Sequence, residues 1–300
     1  LASLRRAWLN RLDAEWRTDV EIGRDKALYS EWYQPASLGS EFFVAPHFSY
    51  RSDYRDANFG SQQPFSYSLR TIDAGIEAGS VFGRWGEIRA GVLNGTGRVY
   101  HEDNSVYPNE SFARGGYTLK LTLDQLDNVR FPHSGGLVRV DFFESSDDLG
   151  ADLSYSRLLV EGRRALSAGK NSVLLVGRLG SSLDTETPFH ESFRLGGLFN
   201  LSAMTPGTID TRNQIYMRAQ YYRQIRQLPT LVGKGVYAGV MLESGWGWEN
   251  KGFSVPDGRE LPWSAGGYLA ADPFIGPLYL LGAVGAESEA AIYMALGTNF

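Results

Sequence analysis

The stretch Tyr117-Thr118-Leu119-Lys120-Leu121-Thr122-Leu123-Asp124 alternates strictly between apolar and polar side chains. A period of two is typical of a β-strand that presents one apolar and one polar face. The same alternation recurs along the chain, in residues 15–22, 42–50, 72–79, 138–142, 215–221 and 292–300. The sequence therefore predicts an all-β protein.

Fifteen strands and no helix are predicted across the 300 residues. The predicted strands span residues 2–10, 13–23, 27–34, 41–53, 66–79, 84–100, 112–125, 137–146, 151–166, 170–184, 212–226, 234–247, 263–272, 276–285 and 290–300. Strands of soluble proteins cluster at about 5 to 6 residues, whereas a strand that crosses a bilayer at a tilt needs about 9 to 11. Strand length therefore favours a transmembrane antiparallel β-barrel over a soluble β-sandwich, which alternates in the same way.

The polar face of the predicted strands carries many charged side chains. In a barrel these side chains line a water-containing interior, while the apolar, aromatic-rich face meets lipid. We predict a mixed-charge network on the inner side, formed by Arg17, Asp19, Glu21, Lys120, Asp124, Arg157, Glu161, Arg163, Arg178, Arg218 and Glu243. Bracing the wall is the simplest role for this network, and transport is the alternative.

The connections between the predicted strands alternate in length. Residues 54–65, 101–111, 185–211 and 248–262 form long connections, and the connections between them include the short turns 82–84, 166–170 and 272–277. Outer-membrane barrels place short turns on the periplasmic side and longer loops outside. The pattern predicts one barrel domain, residues 1–300, in the bacterial outer membrane. Because antiparallel closure needs an even number of strands, we predict a sixteen-stranded barrel whose first strand precedes Leu1.

The composition excludes several kinds of site. The chain has no cysteine, which rules out a disulfide framework, a thiol nucleophile and a cysteine-ligated metal. The 4 histidines are dispersed along the sequence, and the net charge of -5 gives no reason to expect nucleic acid as a partner. No metal, cofactor or nucleic acid is therefore expected.

Asp127, Pro132 and Gly135 mark a turn between two predicted strands. Proline fixes φ and withholds a donor, and glycine permits a positive φ, so these residues suit a tight reversal. A generic hairpin turn can contain the same residues. The order Asp, then Pro-x-x-Gly, also resembles a periplasmic turn of the outer-membrane insertase and transporter superfamily, the bacterial surface antigen barrels.

The longest predicted outer loop contains Gly196-Gly197-Leu198-Phe199-Asn200-Leu201-Ser202. The glycine pair resembles the one that precedes a Val-Arg-Gly-aromatic tip in that superfamily, where the tip folds into the lumen. This chain has no arginine or glycine in the corresponding Leu201-Ser202-Ala203-Met204. Glu243 and Gly245 resemble the carboxylate-x-Gly that receives the arginine in relatives. With Ser202 in that place, a charge-assisted pair is expected to become at best a neutral hydrogen bond.

The last predicted strand ends in Phe300 and carries Tyr293 and Leu296. A terminal aromatic that closes an alternating strand resembles the signal by which outer-membrane barrels are recognised for insertion. The resemblance implies that the barrel assembly machinery recognises the Phe300 end and that outer-membrane lipids surround the chain.

Several segments together resemble the C-terminal barrel of patatin-like phospholipase autotransporters, a type V secretion group. They are Leu9–Thr18, Tyr33–Pro35, Leu126–Pro132, Leu195–Ser202, Ala219–Arg223 and Ala271–Tyr279. The resemblance implies a barrel that anchors, and helps to translocate, an N-terminal patatin-like phospholipase passenger, and it implies a homodimer. In that family a Gly-x-Ser-x-Gly serine and an aspartate lie in the passenger. Neither that motif nor an α/β pattern occurs here, so this chain itself is not expected to be an enzyme.

Three other functions stay open at this point. A phospholipase on the outer wall would need a histidine near a serine on the apolar face, but His47 has inward parity and His101, His133 and His190 fall in or beside connections. An outer-membrane insertase or a two-partner-secretion transporter pore uses the same barrel, although the absent loop arginine counts against it. The long glycine-rich outer loop disfavours a simple diffusion porin.

Overall fold

Strands account for most of the residues that the structure describes. A computed structural model describes residues 2–23, 25–57, 65–101, 109–229, 231–249, 252 and 261–297. The strands are β1 (Ala2–Arg6), β2 (Glu15–Glu21), β3 (Lys26–Pro35), β4 (Phe42–Ala57), β5 (Phe65–Phe82), β6 (Gly86–His101), β7 (Glu110–Asp124), β8 (Gly135–Ser145), β9 (Tyr155–Ala168), β10 (Asn171–Ser181), β11 (Phe193–Leu195), β12 (Ile209–Thr211), β13 (Asn213–Gln227), β14 (Gly233–Trp248), β15 (Trp263–Pro273), β16 (Leu278–Gly285) and β17 (Ala290–Leu296). Short 3₁₀ turns occur at Asp147–Leu149, Phe189–Glu191 and Ala286–Ser288.

Fifteen of these strands form one sheet in chain order, from β1 to β10 and then from β13 to β17. β11 and β12 form a separate two-stranded sheet inside the longest connection. The all-β prediction and its fifteen strands are confirmed. The two short strands were not predicted, because three residues are too few to show a period.

The two faces of the sheet have the inverse of the polarity found in soluble proteins. On β5, Ile72 and Ile76 are 47% and 48% exposed, whereas Asp73 and Glu77 are 7% and 1% exposed. We call the side of the buried polar residues the inner face and the opposite side the outward face. On β5 the alternation therefore places the apolar residues outward, as the sequence predicts for a wall that meets lipid.

The contacts within the chain divide it into two compact units. The first unit contains residues 1–123, 139–159 and 185–191, and the second contains residues 124–138, 160–184 and 192–300. On the inner face of the first unit, Arg89 pairs with Glu31 at 2.6 Å and with Glu87 at 2.9 Å. Lys120 pairs with Glu77 at 2.6 Å. Paired charges of this kind are the form in which ionised groups tolerate burial.

The inner face of the second unit carries charged pairs as well as a packed aromatic core. Glu161 lies 2.8 Å from Arg163 and 3.5 Å from Arg178. Next to them is a buried cluster that includes Phe131, Phe199, Tyr216, Tyr222, Tyr237, Tyr268 and Tyr279. The inward charges of this unit agree with the predicted network, whereas the aromatic core beside them was not predicted. Its tyrosines occupy inward positions, and two connecting segments pack against their rings.

No helix in the described part of the chain is long and apolar enough to cross a membrane. Among the described residues there is also no group of three or more histidine, aspartate or glutamate side chains that could hold a metal ion.

Candidate functional site

The candidate site is the tip of the longest connection, residues 196–204, which we call the loop tip. β11 and β12 pair in register from Phe193 with Thr211 to Leu195 with Ile209. This short ladder brings together the two ends of the segment that contains the loop tip. The pairing of β11 with β12 therefore fixes the positions of the two ends of the loop tip.

Glycine is required at the start of the loop tip. Gly196 has a φ of +115°, and a Cβ atom there would lie 2.1 Å from the carbonyl oxygen of Thr205. Gly197 has a φ of +100°. Phe199 and Leu201 also adopt positive φ values, of 55° and 70°. Such conformations are costly for residues with a Cβ atom and persist only where the surroundings hold them.

Hydrogen bonds inside the loop tip hold this conformation. The N–H of Gly196 donates to the carbonyl of Asn200 at 2.7 Å, and the N–H of Phe199 donates to Oγ of Ser202 at 2.9 Å. Nδ2 of Asn200 donates to the carbonyls of Arg194 and Gly196 at 3.1 and 3.2 Å. Asn200 and Ser202 therefore shape the tip through their side chains.

The loop tip is attached to the wall by a buried carboxylate. The backbone N–H of Ser202 donates to Oε2 of Glu243 on β14 at 2.7 Å. The hydroxyl of Tyr216 on β13 lies 2.6 Å from Oε1 of the same carboxylate. Ser202, Glu243 and Tyr216 are all 0% exposed. We call this arrangement the latch.

The latch differs from the neutral side-chain bond that the sequence predicts. The donor is the backbone N–H of Ser202 and the acceptor is the Glu243 carboxyl oxygen, so the contact needs no arginine. Sequence patterns report side chains, whereas this contact uses an atom that every residue except proline carries. Within the described residues, no lysine or arginine forms an ion pair with Glu243.

Further contacts surround the latch. The N–H of Ala203 donates to Oγ of Ser264 on β15 at 3.1 Å. Nη1 of Arg218 donates to the carbonyl of Phe199 at 3.1 Å, and its guanidinium lies 4.8 Å from the centre of the Phe199 ring. Nη1 of Arg178 donates to Oδ1 of Asn200 at 2.9 Å. These inward arginines bind the loop tip, which sequence analysis did not predict.

Gly245 provides space beside the latch. A Cβ atom at Gly245 would lie 2.9 Å from the carbonyl of Ile215 and 3.3 Å from Cδ1 of Leu195. Leu195 is fully buried, at 0% exposure. The Glu-x-Gly segment thus binds the loop tip by a hydrogen bond at Glu243 and packs at Gly245 against Leu195, the residue that precedes the tip.

The same connection also contacts the inner face of the first unit, through the turn Phe189–Glu191. Glu191 pairs with Arg114 at 3.2 Å, and its carbonyl accepts a bond of 3.2 Å from Nε of Arg157. Nη1 of Arg55 donates to the carbonyl of His190 at 2.6 Å. Three inward arginines therefore hold this turn.

His190 lies within this network as a neutral ring. It is 6% exposed and stacks on Phe112 with ring centres 4.1 Å apart. The surroundings of His190 lower its pKa to about 4: burial is the largest cause, Glu191 opposes it, and Arg114 and Arg55 add to it. A protonated imidazole would be unfavourable in this position.

The predicted Asp127, Pro132 and Gly135 turn connects β7 and β8. Oδ1 of Asp127 accepts the N–H groups of His133 and Ser134 at 2.8 and 3.0 Å. Burial opposes ionisation of Asp127, but the bonds from Ser134 and His133 outweigh it and lower the pKa. Gly135 has a φ of +95°, and a Cβ atom there would lie 1.9 Å from the carbonyl of Gln125. Asp127 thus binds the backbone of the turn, and Gly135 adopts a conformation that a residue with a Cβ atom could not adopt there.

The interior of this turn fills the inner face of the second unit. Phe131 is 1% exposed and stacks on Tyr237 with ring centres 4.1 Å apart. Nη1 of Arg130 donates to Oδ1 of Asp272 at 2.7 Å, and the carbonyl of Pro132 accepts the hydroxyl of Tyr222. The turn motif does not predict these contacts of Arg130 and Phe131, although both residues lie between Asp127 and Gly135.

His133 contacts a serine, but on the inner face. Its Nδ1 lies 2.7 Å from Oγ of Ser172, which is 1% exposed. Asp127 binds the backbone of His133 rather than its ring. A hydrolytic triad needs an exposed nucleophile and a group that orients the imidazole. This pair provides neither.

Several solved structures are similar in fold to almost the whole of this chain. BamA from Haemophilus ducreyi lacking POTRA domains 1–3 aligns with a TM-score of 0.75 and 14% identity, over 98% of this chain and 65% of that chain. CdiB from Escherichia coli aligns with a TM-score of 0.66 and 13% identity, over 97% of this chain and 57% of that one. CdiB from Acinetobacter baumannii aligns with a TM-score of 0.60 and 10% identity, over 94% of this chain and 51% of that one. The chain therefore has the same fold as BamA and CdiB.

This barrel fold is one of the bacterial outer membrane, which agrees with the predicted localisation. The chain spans about half to two thirds of the length of each of these neighbours. No family model matches the sequence, and no curated protein matches it. The similarity therefore rests on the fold rather than on the sequence.

The predicted C-terminal residues lie on different faces of the barrel wall. Tyr293 points inward, where its hydroxyl donates to the carbonyl of Met204 at 3.4 Å. Leu296 is 58% exposed on the outward face. Phe300 lies outside the described residues. Tyr293 thus contacts the loop tip.

Proposed function

We propose that this chain is the barrel of an outer-membrane insertase or transporter whose lumen is closed at rest by the long outer loop. The observation that carries the proposal is the latch, in which the backbone of Ser202 binds the carboxylate of Glu243 at 2.7 Å. A loop that starts outside the membrane and ends on a buried inward carboxylate occupies the path that a substrate would take.

The attachment suits a gate. The loop tip is bound to the wall mainly by its own backbone atoms at Phe199, Ser202 and Ala203. Its positive φ values at Phe199 and Leu201 are held by the surroundings. A segment that is fixed by discrete hydrogen bonds and by backbone conformations that its surroundings impose can switch between two arrangements. The resemblance in fold to BamA and CdiB supports this reading over a passive anchor.

Conductance across a planar lipid bilayer tests the proposal. The natural chain has no cysteine, so the double variant Ala203→Cys with Ser264→Cys contains one pair of thiols, at positions whose N and Oγ atoms are 3.1 Å apart. We expect the oxidised variant to conduct less than the wild type, and dithiothreitol to reverse the change. The variant Glu243→Ala is expected to conduct more. Equal conductance of all these forms would contradict a loop-gated pore.

A second candidate is the anchor of an N-terminal patatin-like phospholipase passenger, favoured by Asn200-Leu201-Ser202 at the loop tip. In that role the barrel would bind outer-membrane lipids, be assembled through its Phe300 end and pair with a second copy. The catalytic dyad would lie in the passenger, so purified residues 1–300 should not hydrolyse phospholipid. Phospholipase turnover by this chain would contradict the anchor. An upstream Gly-x-Ser-x-Gly segment in the parent gene would support it, whereas tandem periplasmic repeats would favour the insertase.

A further inference from the structure

Three cations lie in one register row on the outward face of the first unit. Lys26 pairs with Ser52, Ser52 with Arg70, Arg70 with Arg98, and Arg98 with Ser111. The row therefore crosses strands β3 to β7. Arg70 and Arg98 are directly opposite each other on neighbouring strands, so their Cβ atoms are about 5 Å apart.

Both arginines project to the outward side. Leu69 and Thr71, which flank Arg70, are 4% and 6% exposed, and Val99, beside Arg98, is 1% exposed. Alternation therefore directs the two guanidinium groups away from the inner face. Arg98 is three residues from the end of β6 at His101, about 10 Å along the strand. That end leads into a long connection, so the pair lies near the outer surface of the membrane.

A tyrosine ring holds the two guanidinium groups together. Cζ of Arg70 lies 4.6 Å from the centre of the Tyr100 ring, and Cζ of Arg98 lies 5.7 Å from it. Nη1 of Arg98 donates to the hydroxyl of Tyr100 at 3.1 Å, and its Nε donates to Oγ of Ser111 at 2.9 Å. Contact of this kind between a cation and an aromatic face reduces the mobility of both arginines.

No carboxylate among the described residues neutralises this pair. Asp152 lines the same cavity, but its Oδ2 accepts the N–H of Ala113 at 2.6 Å and it forms no ion pair there. Asp25 lies next to Lys26, at the β3 end of the row, and accepts the N–H of Tyr54 at 2.8 Å. Like charges directly opposite on neighbouring strands are destabilising. A bound anion would remove this repulsion.

The cavity beside the arginines has the polarity of a lipid site. It has a volume of about 520 Å³ and is lined by both arginines, by Tyr50 and Tyr100, and by Ile72. Ile72 pairs with Tyr50 and lies two residues deeper in the membrane than Arg70. Tyrosines are enriched at the membrane interface, and the apolar surface below them faces acyl chains.

We propose that Arg70 and Arg98 bind a phosphate group of lipid A, the phosphorylated glycolipid of the outer leaflet. Each guanidinium presents parallel N–H donors that match two oxygens of one phosphate. Lipid A is chosen over a phospholipid because the pair lies at the outer end of the strands. This inference requires the outer-membrane barrel fold but not the gated pore, so it stands if the pore proposal fails.

Native mass spectrometry of residues 1–300 in mild detergent tests the proposal. The probes are bisphosphorylated lipid A, monophosphoryl lipid A and phosphatidylglycerol. The test variants are Arg70→Gln, Arg98→Gln, the double Gln variant, and the double Lys variant, which keeps the charge but lacks the paired donors. The control is Arg164→Gln, which removes an exposed outward arginine near the end of β9, beside a short turn. Every variant must show the wild-type gel migration of a folded barrel.

We expect the wild type to bind bisphosphorylated lipid A at least tenfold more tightly than phosphatidylglycerol. Each single Gln variant should weaken lipid A binding about tenfold, the double Lys variant should weaken it by an intermediate amount, and Arg164→Gln should leave it unchanged. Equal binding by the double Gln variant and the wild type would overturn the proposal. So would an equal loss in Arg164→Gln, or equal affinity for phosphatidylglycerol, because each would indicate attraction by charge alone.

Discussion

The backbone N–H of Ser202 donates a hydrogen bond of 2.7 Å to Oε2 of Glu243, and both residues are fully buried on the inner face. Among the described residues, no lysine or arginine pairs with this carboxylate, and a backbone amide binds it to the loop tip. The arrangement leads to the first prediction.

The variant Glu243→Ala is expected to release the loop tip. It leaves the N–H of Ser202 without its buried acceptor, at a cost of about 1 to 3 kcal/mol, whereas the hydroxyl of Tyr216 keeps the carbonyl of Phe199 as an acceptor at 2.7 Å. Trypsin cleavage after Arg194 and Arg212, on either side of the tip, should become faster, as measured by gel analysis of the folded barrel. Glu243→Gln keeps an acceptor oxygen and should be cleaved at an intermediate rate. Unchanged cleavage in Glu243→Ala would show that the latch does not hold the loop.

The variant Gly196→Ala is expected to destabilise the loop tip strongly. Its φ of +115° is unfavourable for alanine, and the new Cβ atom would lie 2.1 Å from the carbonyl of Thr205. A cost of about 3 kcal/mol or more is expected. Gly169→Ala is the matched control, because Gly169 has a φ of +62° but nothing within 4 Å of an added Cβ atom. The control should lose only about 1 kcal/mol. Urea unfolding in detergent measures both, and equal losses would exclude the steric contact as the cause.

The ion pair between Arg130 and Asp272 should be sensitive to removal of the arginine alone. Asp272 is 1% exposed, and Nη1 of Arg130 lies 2.7 Å from its Oδ1. Arg130→Ala leaves a buried carboxylate unpaired and should cost about 3 kcal/mol. Adding Asp272→Asn should recover part of this loss, which a double-mutant cycle of urea unfolding would measure. An additive double variant would show that the two side chains are not coupled.

Acid should weaken the contact between the turn Phe189–Glu191 and the inner face. The pKa of His190 falls from 6.5 to about 4 on burial. The released turn therefore takes up a proton between pH 6.5 and 4 that the docked turn does not. Docking is fully favoured above pH 6.5 and loses about 3 kcal/mol as the pH falls to 4. In the wild type, the protection factors for amide hydrogen exchange in residues 185–191 should therefore fall as the pH falls over this range. His190→Phe should remove the dependence, and an unchanged pH profile in that variant would assign it to another group.

A charged residue on the outward face should reduce the free energy of unfolding more at the middle of the membrane than near the membrane surface. Ile76 lies near the middle of β5 and is 48% exposed, whereas Ile22 is 84% exposed just beyond β2. Ile76→Arg is expected to destabilise the barrel by about 2 to 4 kcal/mol and Ile22→Arg by about 0 to 1 kcal/mol. Chemical unfolding in lipid vesicles measures the difference. Similar small losses in both variants would argue against a lipid environment for this face.

The sequence by itself determined the strands, the side chains that each strand directs outward, and the turn that contains Asp127 and Gly135. Alternation is a local property, because successive side chains of any strand point to opposite sides, so Tyr117–Asp124 alone shows which residues face outward. The glycines at positions 135, 196 and 197 were also identifiable, because only a residue without a Cβ atom fits these conformations.

Only the tertiary structure decided what the connecting segments touch. The bond to Glu243 comes from the backbone of Ser202, which no residue pattern reports. Phe131 turned inward because the rings of Tyr222 and Tyr237 are there to bury it. The opposition of Arg70 and Arg98 depends on the pairing register of β5 and β6, and a shift of one residue in that register would separate them. These contacts join residues far apart in sequence, so their energies exist only once the wall has formed.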